Sequence, residues 1–381
     1  MNITDPNGNP PATALAPFTQ ATYRLSNLPQ GPGTVAWTLS GDTSALATTG
    51  ATDTDQLTLI ARQRSQQANA SVLTATFTPQ NQGSPTVASL GLTVFELAIA
   101  MAPPTAEDAA ESLWMGVGET RVLSASTLPA GVVAGQAGQW QWTVGADLQV
   151  MGDANGPAAT VVANSATNNA GVAVSLGFAG GTAQAQQQLI TCAVQITGAD
   201  GGPPLCGVPV GLPVGYQVQV LPSPDDAQLF WTGSGGFALA VQGAAAVLQG
   251  VQPSSAEGAD GLAVNVLMNG AQAHAVIPVT VYATTITAPG GTPALTQLPA
   301  NGRQRYAVST APPLSEVTVS WAVLGPAALT GATTQAEVEL VTLGPSESAG
   351  DIVLGVSVLP PGMAHPQPTA ILRITAGTPR R

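Results

Sequence analysis

The sequence predicts an all-β chain of tandem β-sandwich domains, three to four units in 381 residues. Three observations carry this. A strand with an inward tryptophan recurs as Val35-Ala-Trp37-Thr-Leu39-Ser-Gly41, Trp140-Gln-Trp142-Thr-Val144-Gly145 and Val319-Ser-Trp321-Ala-Val323-Leu-Gly325. Large apolar residues alternate with small or hydroxyl ones, so one face carries the indole inward. Second, Gly 43 and Pro 32 break the chain into short runs, at a level below that of a disordered low-complexity protein. Third, landmarks near the two ends repeat at one offset: Gly50 to Gly331 is 331 − 50 = 281 and Pro79 to Pro360 is 360 − 79 = 281. A chain of this length fits three or four units of about 100 residues each.

The first unit is expected over 1–98. A Pro-rich entry leads to a strand holding Tyr23, the turn Asn27-Leu-Pro29, the Trp37 strand, a turn-rich 41–55, and strands from Gln56, Ser71 and Val87. The second, 99–222, follows Pro103-Pro104 and reuses the Ser-x-Leu-Pro turn at Ser126 to Pro129; its extra length around Asn164 to Gln188 is expected to be an inserted loop or hairpin and a contact surface. The third, 223–285, is short and divergent: it keeps Phe230-Trp231 and strands at 262–268 and 276–282, while 237–252 reads either as two strands or as a buried helix. The fourth, 286–381, repeats the first, with Tyr306 for Tyr23, Trp321 for Trp37 and Gly331-Ala-Thr for Gly50-Ala-Thr. Trp37, Trp142, Trp321, Tyr23 and Tyr306 are the expected structural core; Trp114 and Trp140 are candidates for exposure, although sharing a face with Trp142 favours burial of Trp140.

The Val117-Gly-Glu-Thr lead into a strand, the three tryptophan strands and the Gly-Ala-Thr turns resemble bacterial Ig-like domain repeats of surface adhesins and phage structural proteins. The resemblance covers about three quarters of the chain. It implies tandem immunoglobulin-like β-sandwich domains and a scaffold role, with no site to carry over. The inter-sheet cysteine pair of antibody domains is absent around Trp37 and Trp321.

Charge excludes several classes. Charged residues are 8%, with 21 acids against nine arginines and a net charge of −12, and lysine is absent. Nucleic-acid binding needs clustered cations, Schiff-base and phosphate-loop chemistry need lysine, and adhesion to anionic lipid is disfavoured. The most apolar run, 90–102, is broken by Thr93 and Glu96 and alternates like a strand, so no membrane insertion is expected. The N-terminus has neither the basic start nor the apolar core of a Sec-type signal, which suggests cytosolic assembly or a mature chain given a start methionine.

No constellation for catalysis or cofactor binding stands out, and neither is expected. His274 and His365 lie in different units, without a second ligand at metal spacing. The carboxylate groups Asp53/Asp55, Glu107/Asp108/Glu111, Asp225/Asp226 and Glu257/Asp260 read as solvated turns; calcium at unit junctions is the alternative, with Asp153-Ala-Asn-Gly156 matching part of a binding loop. Cys192 and Cys206 flank an expected hairpin, as a cross-strand disulfide or as two buried thiols. The expected function is a non-enzymatic structural protein of a particle-surface or extracellular assembly, a phage virion head, tail or fibre component being favoured. Its partners are other protein subunits, copies of itself among them. A secreted adhesin or carbohydrate-binding module, with a host-surface glycan as ligand, is the alternative.

Overall fold

The computed structural model describes residues 1–81, 83–102, 113–132, 139–268, 270–343, 351–360, 363 and 368–377. Every regular element among them is a strand. The chain forms two compact units, Met1–Cys192 with Asn269–Ala271, and Ala193–Met268 with Gln272–Arg381.

The first unit opens with β1 (Asn2–Thr4), β2 (Ala14–Leu15), β3 (Gln20–Ser26), β4 (Gly33–Gly41), β5 (Leu46–Thr49), β6 (Gln56–Ala61), β7 (Ser71–Pro79) and β8 (Thr86–Val94). They make two sheets, β1-β3-β6-β5 and β2-β8-β7-β4. Leu73, Ala75 and Phe77 on β7 alternate inward, the first two in the core cluster of Trp37, Tyr23 and Leu59, while Thr74, Thr76 and Thr78 face out. The unit continues with β9 (Glu96–Met101), β10 (Trp114–Gly116), β11 (Thr120–Leu128), β12 (Gln139–Val144), β13 (Leu148–Met151), β14 (Ala158–Ala163), β15 (Thr167–Phe178) and β16 (Gly181–Gly198). Here β9, β11, β14 and β13 form one sheet; β12 and β15 pair in turn with the first part of β16, along which β10 runs parallel.

In the second unit the tail of β16, Ala193 to Gly198, pairs with β18 (Pro213–Leu221). The other strands are β17 (Gly207–Pro209), β19 (Ala227–Ser234), β20 (Phe237–Gln242), β21 (Ala245–Gly250), β22 (Asp260–Met268) and β23 (Ala271–Thr287), followed by β24 (Gln297–Pro299), β25 (Arg303–Ala311), β26 (Thr318–Leu324), β27 (Ala327–Thr330), β28 (Glu337–Thr342), β29 (Asp351–Leu359) and β30 (Ala370–Gly377). The β18-β21-β20 sheet faces β19-β22-β23, and the tail of β23 opens a further sheet, β25-β28-β27, opposite β24-β30-β29-β26.

One plan is therefore used four times: a sheet in the order first, third, sixth, fifth strand, and a second sheet closed by a short parallel strand. The parallel closures are Leu15 on Val94, Met115 on Thr191, Val208 on Val281 and Leu298 on Ala376. This is immunoglobulin-like topology, strands ABED on one sheet and CFG on the other.

Three expectations differ from the structure. A break at 222, ending one unit and opening a short third one, cuts through a paired sheet, because β18 hydrogen-bonds to β21. Leu221-Pro222 is the end of the third strand of its sandwich, where Leu128-Pro129 and Ala311-Pro312 also stand, so the proline marks a turn inside a domain. The stretch around Asn164 to Gln188 is not an insertion: β15 and β16 form the central hairpin of the second sandwich, burying Ala170, Val172, Val174, Leu176, Ala183 and Leu189. Cys192 and Cys206 are not bridged to each other; Cys192 is buried with Sγ 3.2 Å from Met115 O, and Cys206 is exposed ahead of β17, which pairs with β23 rather than closing a hairpin on β16.

Candidate functional site

The tryptophans hold the sandwiches by two hydrogen bonds each. Trp37 donates its backbone N–H to Thr52 O and Nε1–H to Thr54 O, at 2.9 and 2.8 Å. Trp142 does the same with Ala154 and Gly156, and Trp321 with Thr333 and Gln335, at 2.8–2.9 Å. Two carbonyls two residues apart thus fix the indole and the crossover between the sheets. Trp231 occupies the same place in the third sandwich, with Nε1 3.3 Å from Gly243 O. All four indoles are buried. Trp140 is half-buried against the core around Trp142, and Trp114, on β10, is half-buried.

The tyrosines form a second series. Tyr23, Tyr216 and Tyr306 each stand fourth in their strand and donate to the carbonyl eleven residues upstream: Ala12, Leu205 and Leu295, at 2.9, 2.6 and 2.8 Å. Leu123 holds this place in the second sandwich. Burial raises all these phenols, that of Tyr306 to about 12. Sequence reading missed Tyr216 because the boundary drawn at 222 separated its strand from its sandwich.

The ionisable groups are dispersed and occupied by local structure. Asp153 Oδ1 accepts from Asn155 N and Nδ2 and closes its own turn, while Asp260 Oδ2 accepts from Gly236 N and Ser254 Oγ and ties two loops to the start of β22. Asp55 meets Arg24 at 3.6 Å, and Asp225 and Asp226 are exposed. Glu107, Asp108, Glu111 and His365 lie outside the described residues; His274 is exposed on β23. Among the described residues no three His, Cys, Asp or Glu are grouped to hold a metal. Arg121, only 4% exposed, is ion-paired with Glu119 at 2.7 Å and also donates to the carbonyls of Ala102 and Gly270, so it is a structural charge.

What the fold offers to a partner is sheet surface. Each sandwich ends one sheet with its tryptophan strand, β4, β12, β19 or β26, and the other with β5, β13, β20 or β27. None of these eight edge strands contains an ionisable residue. Edges are ordinarily guarded by charges or proline against pairing with another chain. The outward face beside β12 is neutral too, whereas β28, beside β27, carries Glu337 and Glu339 outward. On the second sandwich Thr143, Gln186 and Gln188 stand on either side of Gly171 and Ala173, making an open groove of about 520 Å³. On the third, Phe230, Leu267 and Val276 are exposed.

No family description and no characterised protein sequence matches the chain. Among solved structures it is similar to three N-terminal domains of the Highly Immunogenic Outer Capsid protein of bacteriophage RB49, at 10% identity and TM-score 0.31, covering 75% of this chain and 99% of that one. It is similar also to invasin, a bacterial integrin-binding protein, at 9% identity, TM-score 0.27 and coverage of 96% and 77%. A third likeness is to the N-terminal four Ig domains of a Dscam1 isoform, at 12% identity, TM-score 0.24 and coverage of 97% of each chain. At these scores the superpositions carry no argument, and the immunoglobulin-like assignment rests on the strand order. No helix is long and apolar enough to cross a membrane among the described residues.

Proposed function

We propose that this chain is a non-enzymatic structural protein, a row of immunoglobulin-like modules within a particle-surface or extracellular assembly, with a phage virion head, tail or fibre component as the favoured setting. The same reading divides the chain near Phe95, Cys192 and Tyr282. The observation that carries it is the set of eight edge strands without a charge. On a free monomer such edges invite uncontrolled pairing; on a subunit held among neighbours they are the contact surface. Gold-labelled antibody against the chain, applied to purified particles of its source and imaged by electron microscopy, tests the setting. Regular decoration at one part of the particle supports it, and label confined to soluble material contradicts it.

One observation favours a second reading, an adhesin that holds a glycan. The groove beside Thr143 is lined by amides and a hydroxyl, which donate and accept as sugar hydroxyls require, with no ionisable group among the described residues. Binding on a neutral glycan array that Gln186→Ala abolishes would favour it; a blank array would remove it.

A further inference from the structure

The turn joining the second and third strands of a sandwich is built alike four times. Phe18 N donates to Ala61 O at 2.8 Å, Gly118 N to Ala163 O at 2.8 Å and Gly211 N to Gly250 O at 2.9 Å. The following residue accepts in the first sandwich, from Ala61 N to Thr19 O, and in the fourth, from Thr342 N to Gly302 O, which places Asn301 in the same position. All four residues are left-handed, with φ of 62° for Phe18, 82° for Gly118, 83° for Gly211 and 57° for Asn301. Glycine and asparagine suit that conformation; a bulky aromatic is an outlier there. Among the described residues Phe18 alone, other than glycine and asparagine, has such a φ, and its side chain is 83% exposed, so burial within the chain does not offset the strain. Strain retained at an exposed aromatic points outward, to a partner. Arg62 and Arg64, both exposed, follow the carbonyl that binds Phe18 by one and three residues, in a chain with only nine cations.

The second unit holds a cavity of the opposite character. It measures about 300 Å³ and is lined by Cys206, Glu257, Pro278, Leu314, Glu316 and Pro360 among others. This is the small end of the range of about 300–1,000 Å³ for ligand pockets, with room for one aromatic side chain. Its walls are largely apolar, and among the described residues its ionisable groups besides the thiol are two carboxylates. Glu257 is held in place by Ser315, whose N and Oγ donate to it at 3.1 and 2.9 Å.

We propose that Phe18 of one copy inserts into this cavity on a second copy, with Arg62 and Arg64 facing Glu257 and Glu316. Aromatic knobs that fill a desolvated pocket dominate the affinity of an interface, and the charges give register and rate. Knob and socket are different surfaces, so the contact is heterologous and propagates into rings or open chains. This rests on the assembly reading above and adds a knob-and-socket contact to the one its edge strands offer.

The test is sedimentation of the full chain over a range of concentrations, with Phe18→Gly as the main variant, because glycine is what two sister turns already use. The wild type should gain mass with concentration. Phe18→Gly should raise the dissociation constant at least tenfold without loss of folding. Arg64→Glu and Glu316→Arg should each weaken association, and the two together in one chain should restore it. In Phe18→Cys, a short bis-maleimide should join the introduced thiol of one copy to Cys206 of the next. A wild type of constant monomer mass, or a Phe18→Gly chain that associates as the wild type does, overturns the contact. Gold label on the particle together with an unaffected Phe18→Gly chain would reject this contact alone and leave the assembly reading standing.

Discussion

The ring of Phe95 meets that of Phe178 edge to face, with centroids 5.0 Å apart and planes at 60°. Phe95 lies between β8 and β9, and its N–H donates to Leu15 O at 3.0 Å, which aims the ring into the second sandwich. Together with Ala14 and Ala16 it belongs to the same buried cluster as Trp142. The second unit repeats the device. Ser65 brackets Val94 as Ser254 brackets Val281, each through its N–H and its hydroxyl, so Tyr282 corresponds to Phe95. The Tyr282 hydroxyl donates to Val358 O at 2.7 Å.

Phe95→Ala should therefore lower the stability of the first unit by about 3–5 kcal/mol. Tyr282→Phe, which leaves Val358 O without its donor, should cost the second about 1–3 kcal/mol. Urea unfolding of each variant, followed by tryptophan emission, reads both.

Gly180 and Gly207 serve the same two junctions by being small. A Cβ on Gly180 would collide with Ala14 O, and one on Gly207 with the Pro360 ring. Either glycine replaced by alanine should lower the melting temperature of its unit by several degrees, measured calorimetrically, whereas Gly171→Ala, where a Cβ meets open space, should not.

The buried phenols give an alkaline limit. Because burial raises the folded pKa of Tyr23, Tyr216, Tyr282 and Tyr306, the folded chain keeps protons that the unfolded chain releases above about pH 10. Their stabilising effect is fully present below that pH and is lost as pH rises toward the folded values. Stability should fall above pH 10, and tyrosinate absorbance should rise with unfolding. A smooth titration in the native chain, centred near 10, would contradict this.

The thiols should separate by burial. Cys192 is buried and its thiol is pushed up to about 11, by burial first and then by the Glu119 charge, while Cys206 is exposed. A thiol reagent at neutral pH should modify one cysteine in the folded chain, Cys206, and both in denaturant.

Much of the architecture is legible in the sequence because two side chains impose it. Trp37, Trp142 and Trp321 alternate with small residues, and Tyr23 and Tyr306 stand at matching offsets, so the sandwiches at the ends announce themselves. The middle junction, at Cys192, is not legible for a physical reason. β16 runs from one sandwich into the next with no glycine or proline between its end residues, so the stronger break, Leu221-Pro222, falls at a turn inside a domain. The hairpin from Thr167 to Leu189 is masked in the sequence because its outward residues are Asn, Gly, Ala, Ser and Gln, a composition shared with loops, although Val172, Val174, Leu176 and Leu189 alternate inward. Phe18 carries no periodic signal at all; its oddity exists only against the backbone conformation of its three sister turns.

The claim on which the account depends is that indoles pin each sandwich from within. Acrylamide quenching of the wild type beside a chain in which Trp114 and Trp140 are both phenylalanine tests it most directly, because all four pins are kept. The four indoles that remain, Trp37, Trp142, Trp231 and Trp321, should be shielded in the folded state, and the wild type should show a more accessible fraction from Trp114 and Trp140. Free quenching of the four-indole chain in its native state would contradict it.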